Sequence, residues 1–508
     1  MASTRDVRGG RRYHQLPPLR PRFRGAFVML RCVLPFVLLA LAPLVLPAAD
    51  PPVFRAGAAT SNITPEIGGD LIGGFAPYPS KHIHDELHAR CLVLDDGQTR
   101  VAFVVCDLLG IHRLVSDEAR RLIAVTAGIP KENVLISATH THSASSALGS
   151  DRFAHEQTLD DYQRFVARRI ADGVRRAVNT LRTAEIAFGS VEVPEHVFNR
   201  RWAMRPGTMP PNPFGTVDQV KMNPPAGSPN LVEPAGPTDP LVTFLSVREP
   251  SGPPISVFAR YSLHYVGGVA GADVSADYFG MFCDRLKELL GADHQDPPFV
   301  ALLANGTSGD INNINFREPR PRQAPYEQMR YVAHDVAANV HAALADLTYQ
   351  PWVRLDARYR EPVLKWRKPT PEQAQWAADT LAKPVADPTK TDLSRIYAER
   401  TQRLAEYPET TPVPVQVFAI GDAVLGSMPC EIFCEIGLEF RDRSPLRPAN
   451  MISLNHGYYG YLPTPRHHDL GGYETWIGTN RLERDASVKL LDELIEMVQE
   501  IQAARKAK

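Results

Sequence analysis

A mixed α/β fold, with β-sheets layered by helices in one large domain, follows from three features of this 508-residue chain. Short apolar runs of strand length alternate with longer amphipathic stretches, the pattern of sheets covered by helices. The composition is that of ordinary globular protein, 44% hydrophobic and 22% charged. Polar side chains recur at the C-terminal ends of the apolar runs, where open α/β sheets bind ligands. A net charge of −1 gives no electrostatic basis for binding nucleic acid.

The first segment is not part of that fold. Arg20, Arg22, Arg24 and Arg31 precede the apolar run Cys32–Leu46 and the small-residue end Pro47–Ala49. This order predicts a secretory signal peptide with an extended basic leader over 1–49, and a secreted, periplasmic or cell-surface location. The apolar run is shorter than the ~20 residues of a spanning helix and contains Pro35 and Pro43, which argues against a retained anchor. Met29 competes with Met1 as the initiator.

From residue 50 the elements follow in order. Leu92–Leu94 and Val101–Val105 read as strands, followed by a helix near 115–127, a strand at 134–140 and a long helix near 158–182. Strands are expected at 185–193, 241–248, 255–264 and 299–304, with helices near 277–290 and 325–346. Strands at 353–364 and 415–428, a charged helical segment near 371–405 and a terminal helix near 480–504 complete the pattern. Residues 204–240 stand apart with ten prolines and little periodicity. Proline is excluded from helix interiors and central strands, so this segment is expected as a surface excursion beside the site or a plain insertion. Cys91, Cys106, Cys283, Cys430 and Cys434 read mostly as small core residues. Cys430 and Cys434 are expected one helical turn apart, a poor disulfide geometry.

The most informative motif is Val134–His142, an apolar run ending in His140-Thr141-His142. On an extended chain residues two apart point the same way, so both imidazoles are expected on one side of the strand end. Imidazole is the commonest metal ligand, although an isolated His-x-His also occurs as plain polar residues. His264 and Glu431 end two further strands, and two histidines with a carboxylate form a nitrogen/oxygen zinc set. Alone, His264 reads equally as a satisfied core histidine and Glu431 as a helix N-terminal carboxylate. Asp107 and Asn305 also fall at strand ends. The rival cluster His82, His84 and His88 reads as a second metal site or a solvated turn, and His467-His468 as surface residues.

These residues carry a family resemblance. ATHTHS at 138–143, FNRR at 198–201, RYSLHYVGG at 260–268, GTSGDINN at 306–313, MPCEIF at 428–433 and GYYGYLPT at 457–464 occur in the order of the neutral/alkaline (non-lysosomal) ceramidase family. The chain resembles that family's catalytic domain over nearly all of 53–500. The resemblance implies a Zn²⁺-dependent hydrolase, resident in 50–508, that cleaves the amide of a ceramide-like lipid by metal-activated water. It implies His140, His264, Glu431 and Tyr461 as metal ligands, with Tyr461 also readable as an oxyanion donor or aromatic wall. His142 and Arg200 match the family residues that face the substrate amide, and His84, Asp107, Asn305 and Asp310 are further pocket candidates.

Two departures qualify the resemblance. Asn312 stands where the family has a serine, and asparagine cannot form an acyl-enzyme, although it can hydrogen-bond a carbonyl or a leaving amine. No immunoglobulin-like module is expected after 480. The alternatives are therefore a zinc hydrolase of another amide or ester, or a non-catalytic binding protein on this fold. The expected partner is a small-molecule or lipid amide, with peripheral membrane contact if the substrate is bilayer-borne.

Overall fold

Three sheets, each helix-covered on one side, turn their other faces toward a shared core. The computed structural model describes Gly25 and residues 52–149, 151–154, 158–385, 387 and 390–507. Apart from Gly25, the expected signal peptide lies outside the described residues. Residues from Pro52 onward form a single compact unit.

The first sheet runs in the order Val134–Ala138, Arg100–Cys106, His88–Asp95, Arg55–Asn62, Arg182–Thr183, with the first two strands parallel. The second is Val300–Asn305, Pro254–Tyr261, Leu241–Arg248, Glu185–Glu192, again with its first two strands parallel. The third is Leu355–Arg360, Val415–Ile420, Ala423–Ser427, Ala449–Ile452. Strand alternation divides the burial. Cys91 and Val93 face a core shared with helices Arg113–Ala127 and Asp161–Asn179. Leu92 and Leu94 face a core shared with Phe258, Leu302, Phe418 and Ile452 of the other two sheets. Phe103 meets Phe258 and Phe418 at ring distances of 5.3 and 4.9 Å, one ring from each sheet. Helices Asp277–Leu289 and Glu327–Ala343 cover the second sheet, and Ala486–Lys506 packs with the third. Among the described residues, no helix is long and apolar enough to cross a membrane.

Several expectations need correction. The strand expected at 134–140 ends at Ala138, because His140 takes a φ of 72° that no strand accommodates. The run 415–428 is a hairpin turning at Gly421, φ 56°, and 353–364 breaks into Leu355–Arg360 and Val363–Lys365. The 371–405 segment is two helices, Pro371–Ala382 and Leu393–Glu406. The proline-rich segment contributes Val220–Met222 and Leu231–Pro234, which flank Arg201–Met204 in a small antiparallel sheet. Cys430 precedes a short strand and Cys434 opens a helix, so they are not one turn apart; all five described cysteines are buried and free. His467 is fully buried rather than superficial, facing Phe433 and Glu435.

Segment 453–456 ties two parts of the site together. Ala138 donates its N–H to Leu454 O and His456 donates to Ile136 O, while Leu454 donates to Cys430 O, next to Glu431. His456 is buried, with Nδ1 2.8 Å from Ser116 Oγ and Nε2 2.8 Å from Gln416 Oε1. Burial, reinforced by Arg120 and Arg113, holds its pKa well below the usual 6.5. The unfolded chain therefore binds the proton that the folded chain refuses. Stability is full above about pH 6.5 and falls below it, by up to about 1.4 kcal/mol per pH unit for this group. Urea titrations from pH 7.5 to 5.5 are expected to show a shallower acid decline for His456→Gln than for the wild type. Equal slopes would contradict this account.

Candidate metal and active site

The residues after Ala138 leave the sheet in a bend held by backbone hydrogen bonds. His140 N–H donates to Leu108 O at 2.9 Å, and His140 Nδ1 lies 2.7 Å from Leu109 O. A carbonyl can only accept, so Nδ1 carries the proton and Nε2 keeps its lone pair. His264 repeats this arrangement, its Nδ1 3.0 Å from Ser308 O. Nδ1 anchored on a carbonyl with Nε2 turned inward is the usual setting of a metal-bound histidine.

The inward atoms converge. His140 Nε2 lies 3.1 Å from His142 Nε2 and 3.2 Å from Glu431 Oε2, and His264 Nε2 lies 3.7 Å from the same oxygen. Donors held about 2.0–2.1 Å from a tetrahedral ion stand about 3.3 Å apart. His264 Nε2 and Glu431 Oε2 are buried without a hydrogen-bond partner, which is costly unless something else satisfies them. One ring nitrogen from each of His140, His142 and His264 lies within 4.8 Å of the others, a group able to hold a metal ion. The donor set fits a borderline-soft divalent cation such as zinc.

The protonation states favour this use. Burial first, then nearby cationic groups including Arg200, push His142 and His264 well below 6.5, leaving neutral rings. Burial pulls Glu431 upward, but His140 and the hydroxyls of Tyr461 and Tyr458 outweigh it, and the carboxyl titrates below 4.5. Tyr458 OH donates to Glu431 Oε1 at 2.7 Å.

Glu431 and Tyr461 are brought together by strand pairing, as Glu431–Ile432 runs parallel to Tyr461–Leu462 with 431 opposite 461. Gly309 must be glycine here, since a Cβ would stand 2.5 Å from Glu431 O. Arg200 spans the assembly. Its Nη2 donates to Gly309 O at 2.8 Å and Tyr461 OH at 3.0 Å, and its Nε donates to Glu474 Oε1 at 3.0 Å. Glu474 also pairs with Arg201 at 2.6 Å, so one buried carboxylate holds two guanidinium groups.

Other sequence candidates take separate positions. Asn312 donates to Asn223 Oδ1 at 2.6 Å; Asn223 lines the cavity and Asn312 stands behind it. Asn305 donates to Thr139 O and accepts from Ser308 Oγ, bracing the loops that carry His140 and His264. Asp310 accepts from Asn199 Nδ2 and Cys434 N, each at 2.8 Å, also behind the cavity wall. Asp107 is buried in an ion pair with Arg90, and His84 stacks on Tyr326 beside Asp85; neither lines the cavity. In the rival cluster, His82, His84 and His88 each face a different carboxylate rather than a common point.

The cavity holds about 430 Å³ and runs from the histidines past Leu109, Tyr265, Tyr473 and Trp476. The proline-rich segment supplies one wall through Met209–Asn212 and Val220–Asn223, which puts this excursion at the site. Sequence reasoning missed Tyr265, stacked on His142 at 3.6 Å, together with Tyr458 and Glu474. Tyr265 and Tyr458 carried a weak signal, being inside quoted motifs, whereas Glu474 carried none.

A mixed α/β fold with a buried, metal-competent histidine centre at the ends of its strands defines the class of the protein. The chain belongs to the neutral/alkaline non-lysosomal ceramidase family, whose N-terminal sequence model matches residues 54–318. That family comprises hydrolases acting on amide bonds. Among solved structures the chain is similar to a ceramidase complexed with C2, with 17% identity and a TM-score of 0.66 over 89% of this chain and 76% of that one. It is also similar to the neutral ceramidase from Pseudomonas aeruginosa, with 17% identity and a TM-score of 0.65 over 90% of this chain and 75% of that one. At this identity the likeness is one of fold.

Proposed function

We propose that the protein is a zinc-dependent amide hydrolase that cleaves the N-acyl bond of a ceramide-like lipid, releasing a fatty acid and a sphingoid base. The observation that carries this reading is the convergence of His140 Nε2, His264 Nε2 and Glu431 Oε2 beside a largely apolar cavity, two of those three atoms lacking any other partner. His140, His264 and Glu431 would hold the ion, with Tyr461 and His142 next to them. When bound, zinc lowers the pKa of water to about 7 and polarises a carbonyl.

The chain's own residues supply the remaining chemistry. His142, neutral and lining the cavity, takes a proton at its ring and returns it to the leaving amine. Arg200 keeps its charge in a buried site and presents it where the carbonyl oxygen becomes negative. Its hydrogen bond to Tyr461, which sits opposite Glu431 in the paired strands, helps hold these side chains in place before substrate arrives. Asn312 positions Asn223 on the cavity wall and performs no nucleophilic step. Ser308 Oγ is engaged with Asn305 and His264, which supports water rather than serine as the nucleophile.

Phe75 and Leu393, each 39% exposed, line the cavity, an arrangement suited to peripheral contact with a lipid surface. We propose a secreted, periplasmic or cell-surface location from the expected signal peptide. A second reading retains the metal centre and exchanges the substrate for another amide or ester. It is favoured by Asn312 and by polar Asp218 and Lys221 on the wall of a 430 Å³ cavity.

The test is a substrate panel with purified protein. Fatty acid release from N-acylsphingosine is expected, lost on chelation and restored by zinc. Turnover of other amides or esters with ceramide untouched would support the second reading, and no turnover of any member would contradict both.

A further inference from the structure

A second cavity, of about 610 Å³, opens between the sheet containing Leu241–Arg248 and the sheet containing Ala423–Ser427, and shares no lining residue with the histidine centre. Its walls are apolar, built from Phe188, Phe244, Leu245, Phe258, Ile420 and Leu425. Its charge is unbalanced: Arg260, Arg441 and Arg447 line it, and no carboxylate does.

Asp239 stands outside the lining and accepts from both Arg260 Nη2 and Arg441 Nη2 on one oxygen, each at 2.7 Å. One carboxylate thus serves two guanidinium groups. Arg447 is exposed, donates to the Asp442 backbone carbonyl, and has no ion-pair partner among the described residues. Arg441 lines the cavity, with its Nε closed off from solvent and its Nη2 held by Asp239. Guanidinium groups match carboxylates in geometry as well as charge.

We infer that this cavity is a binding site for a single-chain, long-chain carboxylate. The hydrocarbon lies between the two sheets, and the head group lies at the mouth against the unpaired charge of Arg447, beside Arg441. The volume is in the range of small-molecule sites, with a mostly apolar lining and few polar groups. The assignment rests on this cavity alone and stands whether or not the amide-hydrolase reading holds.

The experiment uses the full protein and a diazirine-bearing palmitate, with cross-linked peptides mapped by mass spectrometry. Cross-links are expected in 241–245 and 420–425, competed by unlabelled palmitate. Arg447→Glu changes an exposed side chain and is expected to weaken palmitate labelling about tenfold, the scale of one charge-assisted contact. Labelling by a neutral hexadecanol analogue should be unchanged in that variant. As a second variant, Ser190→Trp narrows the cavity from its exposed rim and should reduce both probes. Cross-links confined to 209–223 and 473–476, or equal palmitate labelling of Arg447→Glu and wild type, would overturn the inference.

Discussion

Replacing His264 with alanine is expected to abolish hydrolysis, with activity below about one thousandth of wild type, while the fold persists. The imidazole is one of the two inward nitrogens that approach Glu431 Oε2, and its own Nε2 has no alternative partner. Charge stabilisation by a bound metal is worth several kcal/mol at the transition state, which is about a thousandfold or more in rate. The cost to stability should be far smaller: one hydrogen bond to Ser308 O, about 1 kcal/mol, plus a small cavity. Bound metal and turnover should fall together in this variant, with the circular dichroism spectrum unchanged. Wild-type turnover in a folded His264→Ala protein would remove the metal centre from the mechanism.

The second large effect is expected at Arg200. Methionine there removes the donors to Gly309 O and Tyr461 OH and the cation facing the cavity. Loss of one preorganised charge at a developing oxyanion costs about 10²–10³ in kcat. KM should change little, because the charge matters most as the oxygen becomes negative. Glu474 keeps Arg201, so it is not left unpaired; the buried Gly309 carbonyl loses a donor, at a cost of about 1–3 kcal/mol. Arg200→Lys should recover only part of the rate, since one ammonium cannot reproduce the guanidinium's three-way bridge. A raised KM with unchanged kcat in Arg200→Met would make Arg200 a binding residue instead.

How far the site was legible depended on where its residues lie in the fold. His264 and Glu431 follow apolar runs, so strand-end logic located them, and the resemblance joined them to Arg200 and Tyr461. His140 and His142 do come together, but not by the geometry expected from an extended strand. The strand stops at Ala138, and a positive φ at His140, not strand alternation, turns the rings toward each other. Glu474 was invisible because its role exists only after a 3-10 turn brings it to Arg200, more than 270 residues away in sequence.

The fold shows the same division. Leu241–Arg248 was legible from its apolar residues. Arg55–Asn62 was not, since its alanines, glycine and serine have low strand propensity. It pairs as a strand because small residues admit the covering helix, and a Cβ at Gly57 would stand 2.1 Å from Ala177 O. The way three sheets share one core is likewise a property of tertiary packing that no local period encodes.

The central claim is that His140, His264 and Glu431 hold one divalent cation. Anomalous X-ray scattering at the zinc edge from crystals of the purified protein tests it most directly. The account predicts a single strong peak about 2.0–2.2 Å from His140 Nε2, His264 Nε2 and a Glu431 carboxylate oxygen. A zinc-replete crystal with no peak there, or with its only peak at the His82–His88 cluster, would contradict it.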